Sequence, residues 1–120
     1  MSLRCVIVDD SPRFLEAARG LLERQRLSVV GVAGSVAEAI RRVDECRPDV
    51  VLVDLALGTE SGFELARRLR ARVILISTHA EQDYADLIAA SPAVGFLSKS
   101  DLSADAVHAL LGGVSGPRGT

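Results

Sequence analysis

The run Cys5-Val6-Ile7-Val8, followed by Asp9-Asp10, is the stretch that decides the fold. Its four residues are apolar throughout, which is typical of a strand buried on both faces of a sheet. Three later apolar runs also end at polar side chains: residues 50–53 before Asp54, residues 73–76 before Ser77, and residues 95–98 before Lys99.

Longer amphipathic stretches separate these runs, and strands that alternate with helices predict a parallel sheet covered on both faces. We therefore expect an α/β fold of the (βα)5 type, a doubly wound five-stranded sheet with the flavodoxin-like strand order 2-1-3-4-5. The predicted strands are residues 5–8, 28–33, 50–53, 73–76 and 95–98. The predicted helices are residues 12–26, 36–46, 63–70, 81–90 and 104–111, with a polar loop at 58–62.

Length and composition limit the partners. A chain of 120 residues predicts one domain, and its formal net charge of −2 argues against a nucleic-acid surface or an anionic membrane surface. We expect neither a transmembrane helix nor a signal peptide, and we expect a cytoplasmic protein.

Cys5 and Cys46 lack metal-ligand spacing and are expected to be reduced, buried or half-buried thiols. Residues 112–120 are expected to form a linker or C-terminal tail.

Polar side chains at the carboxyl ends of the strands indicate the functional site, because ligands bind there in open α/β sheets. Asp9, Asp10 and Asp54 converge if the strand order is as expected. Two carboxylates about 4 Å apart repel by about 4 kcal/mol at an effective dielectric constant near 20, so a divalent cation is expected, and oxygen ligands favour Mg²⁺. Ser77 and Lys99 face the same point. Together these groups indicate a phosphoryl site with Asp54 as the nucleophile.

Lys99 is the single lysine beside thirteen arginines. Lysine presents a compact point charge where arginine presents a wide planar fork, so this position indicates a pocket shaped for one ammonium group. Each site residue taken alone also has a structural interpretation. Asp10 could cap a helix, Asp54 could be a turn residue and Lys99 could lie at a strand end with its charge in water. The set as a whole favours the functional interpretation.

With these residues, the chain resembles the receiver domain of two-component response regulators. The resemblance extends from residue 6 to about residue 111, so residues 1–111 are expected to form the domain. It rests on Asp9-Asp10 after strand 1, Asp54 after strand 3, Gly62 eight residues later, Ser77 after strand 4, and Gly95-Phe96-Leu97-Ser98-Lys99 in strand 5.

The resemblance implies specific roles at the metal site. Asp54 is expected to be the phosphoacceptor and a ligand of Mg²⁺. Asp10 is expected to bind the metal directly, Asp9 mainly through water, and Ala56 through its backbone carbonyl.

The resemblance also implies a switch. Ser77 matches the hydroxyl that moves toward the phosphoryl group, Phe96 the aromatic side chain that turns inward, and Lys99 the cation that pairs with phosphoryl oxygen. The surface of helix 4, strand 5 and helix 5 is expected to change. Ala56 and His79, two residues beyond Asp54 and Ser77, are expected to tune dephosphorylation, although His79 could also be an ordinary loop residue.

The implied partners are a sensor histidine kinase and, on phosphorylation, a second copy of the chain. The Lys-Ser-Asp-Leu sequence at residues 99–102 resembles receivers that carry a LuxR-type output domain, so DNA would be bound only through a domain absent from this chain. No membrane partner and no enzymatic activity beyond self-phosphorylation and self-dephosphorylation are expected.

Three positions depart from the family pattern. Gly58 replaces a common proline in the loop after the acceptor. Ser100 replaces a proline that usually follows the lysine in a cis bond, so a trans bond is expected. Pro92 replaces a small residue and should shorten helix 4.

Three alternatives to a phosphorylated receiver that controls an output domain remain. A Mg²⁺-dependent phosphohydrolase that forms an aspartyl phosphate needs a general acid two residues after its nucleophile, where this chain has Ala56. The other two are a stand-alone receiver without an output domain and a receiver-like interaction domain that is not phosphorylated.

Overall fold

A computed structural model describes residues 3–79 and 81–112 of the chain. Its main element is a five-stranded parallel sheet. The strands are β1 (Arg4–Val8), β2 (Ser28–Ala33), β3 (Val50–Asp54), β4 (Arg72–Ser77) and β5 (Gly95–Ser98). They lie in the order β2-β1-β3-β4-β5, which confirms the predicted arrangement of the sheet.

Five α-helices lie within the described residues, as the sequence predicts. They are α1 (Pro12–Arg24), α2 (Val36–Cys46), α3 (Gly62–Arg68), α4 (Ala85–Ala90) and α5 (Ala104–Gly112). Short 3₁₀ turns at Glu81–Tyr84 and Lys99–Asp101 precede α4 and α5. The described helices include none long and apolar enough to cross a bilayer.

The apolar strands pack on both faces of the sheet. Val6 and Val8 belong to one core cluster, which α2 and α3 cover, whereas Cys5 and Ile7 belong to a second cluster covered by α1 and α5. Successive side chains of a strand point to opposite faces, so an unbroken apolar run fills both clusters. This burial holds the carboxyl ends of β1 and β3 side by side.

The starts of α1 and α2 are capped by serine. Ser11 Oγ accepts a hydrogen bond from the Phe14 N–H at 3.2 Å. Ser35 Oγ accepts from the Glu38 N–H at 3.2 Å, which is the first hydrogen bond of a capping box. In the second, Glu38 Oε1 accepts at 2.8 Å from the N–H of Gly34, one residue before the N-cap residue that a standard box uses.

Several helix ends differ from the prediction. Helix α1 ends at Arg24 rather than Arg26, and Arg26 has a left-handed φ of 72°. Helix α3 ends two residues early because Leu69 is extended, with φ −87° and ψ 141°. The first turn of the predicted helix at 81–90 is 3₁₀, and α4 itself has six residues before Ser91 and Pro92.

The prediction of a polar loop at residues 58–62, after β3, is wrong in part. Ala56–Leu57 pairs with Glu60–Ser61 in a small antiparallel hairpin. Gly62 then starts α3 against β3, where an added Cβ would lie 2.0 Å from the Asp54 carbonyl oxygen, so only glycine fits.

The remaining expectations concern the ends and the cysteines. Gly112 is the last residue of α5, and residues 113–120 of the predicted linker lie outside the described residues. Cys5 is a buried free thiol whose pKa burial raises to about 12, and Cys46 is a half-buried free thiol. The peptide bond between Lys99 and Ser100 is trans, as expected.

Candidate functional site

Three carboxylates meet where β1 and β3 end. Asp9 and Asp10 follow β1, and Asp54 is the last residue of the neighbouring strand β3. One carboxylate oxygen from each residue lies within 4.8 Å of the other two. Asp9 is fully buried, Asp54 is 9% exposed and Asp10 is exposed. The predicted convergence of these side chains is therefore confirmed.

The buried carboxylate of Asp9 is bound on both sides. Its Oδ1 accepts a hydrogen bond from the Ser11 N–H at 2.8 Å. Its Oδ2 forms an ion pair with Lys99 Nζ at 2.5 Å. A buried carboxylate is costly unless its oxygens are paired, so these two contacts compensate the full burial of Asp9 at the base of the site.

Lys99 is the cation of the cluster. Its Nζ lies 2.5 Å from Asp9 and 3.3 Å from Asp54 Oδ2, and it stands 4.2 Å from the centroid of the Phe14 ring. Burial acts to lower the pKa of Lys99, but the hydrogen bond to Asp9 and the charges of both carboxylates outweigh it and raise that pKa. The ammonium is therefore charged at neutral pH.

The carboxylate of Asp54 is perturbed by its surroundings. Burial and the charge of Asp9 raise the pKa of Asp54, while Lys99 and the backbone N–H of Ala56 act in the opposite direction. The Ala56 N–H donates to Oδ1 at 3.4 Å. A raised pKa combined with a specific charged partner is a typical property of reactive side chains.

Asp10 is held differently from the other two carboxylates. Its Oδ2 accepts a hydrogen bond at 2.9 Å from the N–H of Gly58, in the turn of the hairpin after β3. The ion pairs of Lys99 go to Asp9 and Asp54.

Ser77 ends β4 next to this cluster. Asp54 pairs with Ile76 across the sheet, so Ser77 lies one residue further toward the site edge. Its buried Oγ accepts a hydrogen bond from the His79 N–H at 3.0 Å and lies 3.5 Å from His79 Nδ1. His79 is exposed, and its ring lies edge-on to Tyr84 at 5.9 Å.

The other predicted site residues lie around the same edge. Phe96, on β5, is 8% exposed and belongs to the core cluster under α2 and α3. Ala56 is exposed and begins the hairpin, and its methyl side chain can neither donate nor accept a hydrogen bond.

Sequence reasoning missed two contacts of the site. Phe14 was not among the predicted site residues, yet its ring lies under the Lys99 ammonium. Gly58 was considered only for the absence of proline, yet its N–H binds Asp10. The position of Phe14 in the first turn of α1, four residues after Asp10, was a usable signal. The Gly58 contact depends on the path of the loop and had no such signal.

The donor set fits Mg²⁺. Three carboxylates with one compensating ammonium leave a net negative charge at the end of the sheet. Mg²⁺ takes hard oxygen ligands and is usually held by one or two carboxylates plus water or phosphate. Asp10, which is exposed, and Asp54, which is partly open, are the carboxylates that solvent can reach.

Comparison with known proteins gives the same assignment. Residues 5–111 match the model of the response regulator receiver domain. The DNA-binding transcriptional activator EvgA of Escherichia coli (strain K12) is 27% identical over 104 residues, which cover 82% of this chain and 51% of EvgA. The activator DevR/DosR of Mycobacterium tuberculosis is 43% identical over 79 residues, which cover 61% of this chain and 36% of that protein. The chain thus spans about half or less of the length of these relatives.

A solved structure agrees over nearly the whole chain. A LuxR-family two-component response regulator from Aurantimonas sp. SI85-9A1 superposes with a TM-score of 0.83 at 32% identity, covering 100% of this chain and 90% of that one.

Proposed function

Because this chain belongs to the family of response regulator receiver domains, we propose that it accepts a phosphoryl group on Asp54 from a sensor histidine kinase. Mg²⁺ supports the transfer, and phosphorylation changes the surface of α4, β5 and α5. The observation that carries the proposal is the nearly buried Asp54 carboxylate, which lies beside one ammonium group and two further carboxylates.

In the proposed transfer, a carboxylate oxygen of Asp54 attacks the phosphorus atom. A P–O bond forms, the P–N bond of the phosphohistidine donor breaks, and the electron pair leaves with the imidazole nitrogen. The attacking carboxylate must be ionised. Lys99 at 3.3 Å and the Ala56 N–H favour that form, against the burial that raises the pKa of Asp54. Lys99 is also placed to pair with phosphoryl oxygen as charge builds there.

Asp10 and Asp54 are the proposed direct ligands of Mg²⁺, with Ala56 contributing its backbone carbonyl and Asp9 acting through water. The full burial of Asp9 and its ion pair with Lys99 support this indirect role. When bound, the metal supplies positive charge that offsets carboxylate repulsion and the negative charge of the phosphoryl group.

Ser77 and Phe96 form the proposed switch. The Ser77 hydroxyl is held by the N–H of His79, so its movement toward a phosphoryl group would also move the start of the segment leading to α4. Phe96 is already buried here, which is the inward position that the proposal assigns to the phosphorylated state.

Ala56 and His79 are proposed to make the aspartyl phosphate long-lived. Hydrolysis needs a water aligned with the phosphorus atom, and the Ala56 side chain cannot bind one. The exposed ring of His79 lies beside Ser77 and is placed to cover the phosphoryl group.

The chain is proposed to act as a switch for an output domain rather than as an enzyme. EvgA and DevR/DosR are DNA-binding transcriptional activators, and this chain spans about half or less of each. We propose that a LuxR-type DNA-binding domain follows in the whole protein and that phosphorylation promotes a homodimer.

Intact-mass spectrometry tests this function. With Mg²⁺ and a small phosphodonor, the protein should gain the mass of one phosphoryl group, and Asp54→Asn should gain none. Asp44→Asn, which changes an exposed carboxylate on α2, is the matched control and should label like the wild type. Equal labelling of Asp54→Asn would refute Asp54 as the acceptor.

A further inference from the structure

Asp10 is the carboxylate of the site that most needs a restraint. It is exposed, and it lies within 4.8 Å of two carboxylates that repel it. The ammonium of Lys99 pairs with Asp9 and Asp54. An exposed side chain in this position lowers its energy by rotating into solvent unless another contact holds it.

The contact that holds Asp10 comes from the hairpin after β3. The Gly58 N–H donates to Asp10 Oδ2 at 2.9 Å, the usual length of an N–H···O hydrogen bond. Gly58 has a φ of 65°, a conformation that glycine adopts without strain. An added Cβ at this position meets no atom within 4 Å, so the glycine is required by backbone conformation rather than by space.

We propose that the backbone N–H of Gly58 is a positioning group for the metal site, which keeps the Asp10 carboxylate turned toward Asp9 and Asp54 before the cation arrives. The proposal rests on the proposed function, because it assumes that Asp10 binds Mg²⁺. A carboxylate has about four lone-pair sites, so one N–H bond leaves Asp10 free to bind a cation at the same time. Contacts that orient a metal ligand are often as important as the ligand itself.

Thermodynamic linkage gives the expected sign. If the hydrogen bond strengthens Mg²⁺ binding by orienting Asp10, then Mg²⁺ must strengthen the hydrogen bond by the same factor. Mg²⁺ should therefore slow the exchange of the Gly58 amide proton with water. If the metal instead has to break the bond in order to bind Asp10, Mg²⁺ should accelerate that exchange.

Two substitutions at position 58 test the N–H, and amide exchange in the wild type tests it without any change to the loop. Gly58→Pro removes the donor, since proline has no N–H and fixes φ near −65°. Gly58→Asn is the conservative variant, because it keeps the N–H and asparagine tolerates a positive φ. We expect Gly58→Pro to weaken Mg²⁺ binding by about tenfold, at the low end of the range for loss of such contacts because Asp10 is exposed. Gly58→Asn should restore most of the affinity.

The experiment titrates MgCl₂ alone into the full chain by calorimetry, with thermal melting of each variant to verify folding. Amide exchange of Gly58 is measured by NMR in the wild type, which decides the sign even if Gly58→Pro does not fold. Equal Mg²⁺ affinity of the proline and asparagine variants, or faster Gly58 exchange with Mg²⁺, would overturn the proposal. Normal Mg²⁺ binding without phosphodonor labelling would instead refute only the proposed function. A wild type that binds no Mg²⁺ would refute both.

Discussion

Replacing the proposed acceptor carboxylate should stabilise the metal-free protein even though it is expected to abolish phosphorylation. Asp54→Asn removes a charge that burial and Asp9 destabilise, as the raised pKa of Asp54 indicates. The substitution keeps the shape of the side chain and a carbonyl oxygen that can still accept from the Ala56 N–H. The role proposed for Asp54 thus costs folding stability, a common property of active sites.

The distances set the size of this effect. Carboxylate oxygens of Asp9 and Asp10 lie within 4.8 Å of an Asp54 oxygen, so each repels it by about 3.5 kcal/mol at an effective dielectric constant near 20. The attraction of Lys99 at 3.3 Å is about 5 kcal/mol on the same scale. The two repulsions exceed the attraction by about 2 kcal/mol, and solvent around the exposed Asp10 reduces this excess. We expect a gain of about 1 to 2 kcal/mol, or about 4 to 8 °C in Tm.

The pH dependence follows from the direction of the pKa shift. Because the pKa of Asp54 is higher in the folded protein than its ordinary value of 3.8, the folded state binds more protons in the range above that value. The wild type therefore loses stability as the pH rises through the folded pKa, whereas the asparagine variant has no such loss at this position. The difference between the two should be near zero below the ordinary pKa and largest at neutral pH.

Urea denaturation of both proteins at pH 4 and pH 8, without metal, measures this difference directly. Asp44→Asn is the control for removal of one exposed carboxylate. Mg²⁺ should stabilise the wild type more than Asp54→Asn, because a cation that binds only the folded state adds stability. A variant that is less stable than the wild type at pH 8, or a gain that is equal at both pH values, would refute the reasoning.

Three further outcomes test other parts of the site. Lys99→Arg keeps the positive charge but should lose the phosphorylation-dependent change in oligomeric state, because the broad guanidinium has to fit between two carboxylates and the Phe14 ring. Sedimentation after phosphodonor treatment checks this, and a change in oligomeric state like that of the wild type would contradict it. Ala56→Asn should shorten the lifetime of the phosphorylated form by up to about ten- to hundredfold, measured as phosphate loss at fixed Mg²⁺, since it supplies an anchor for water; an unchanged rate would remove position 56 from this role. Gly62→Ala should lower the free energy of unfolding in urea by about 3 kcal/mol or more, because the added Cβ collides with the backbone of β3. The control Gly20→Ala, on α1, should leave that free energy unchanged or raise it.

The sheet and the position of the site were predictable from local patterns. The side chains of an unbroken apolar run, such as residues 50–53, are all removed from water only if the strand is buried on both faces of the sheet. The residue after each run then lies at the carboxyl edge of the sheet. For this reason the sequence alone predicts that Asp9 and Asp54 lie close together, although they are far apart in the chain. The start of α2 was equally local, because Ser35 caps a helix with its own side chain.

The remaining features depend on contacts between segments that sequence patterns do not encode. The hairpin at residues 56–61 is too short to show a periodicity in the sequence. Glycine is required at position 62 only because any Cβ there would collide with the carbonyl oxygen of Asp54 at the end of β3. In the same way, the sequence alone placed Lys99, Asp10 and Asp54 at one edge of the sheet. Only the tertiary structure decided that Lys99 pairs with Asp9 and Asp54 and that Asp10 is held by a backbone N–H, because those partners depend on distances of a few ångströms between separate loops.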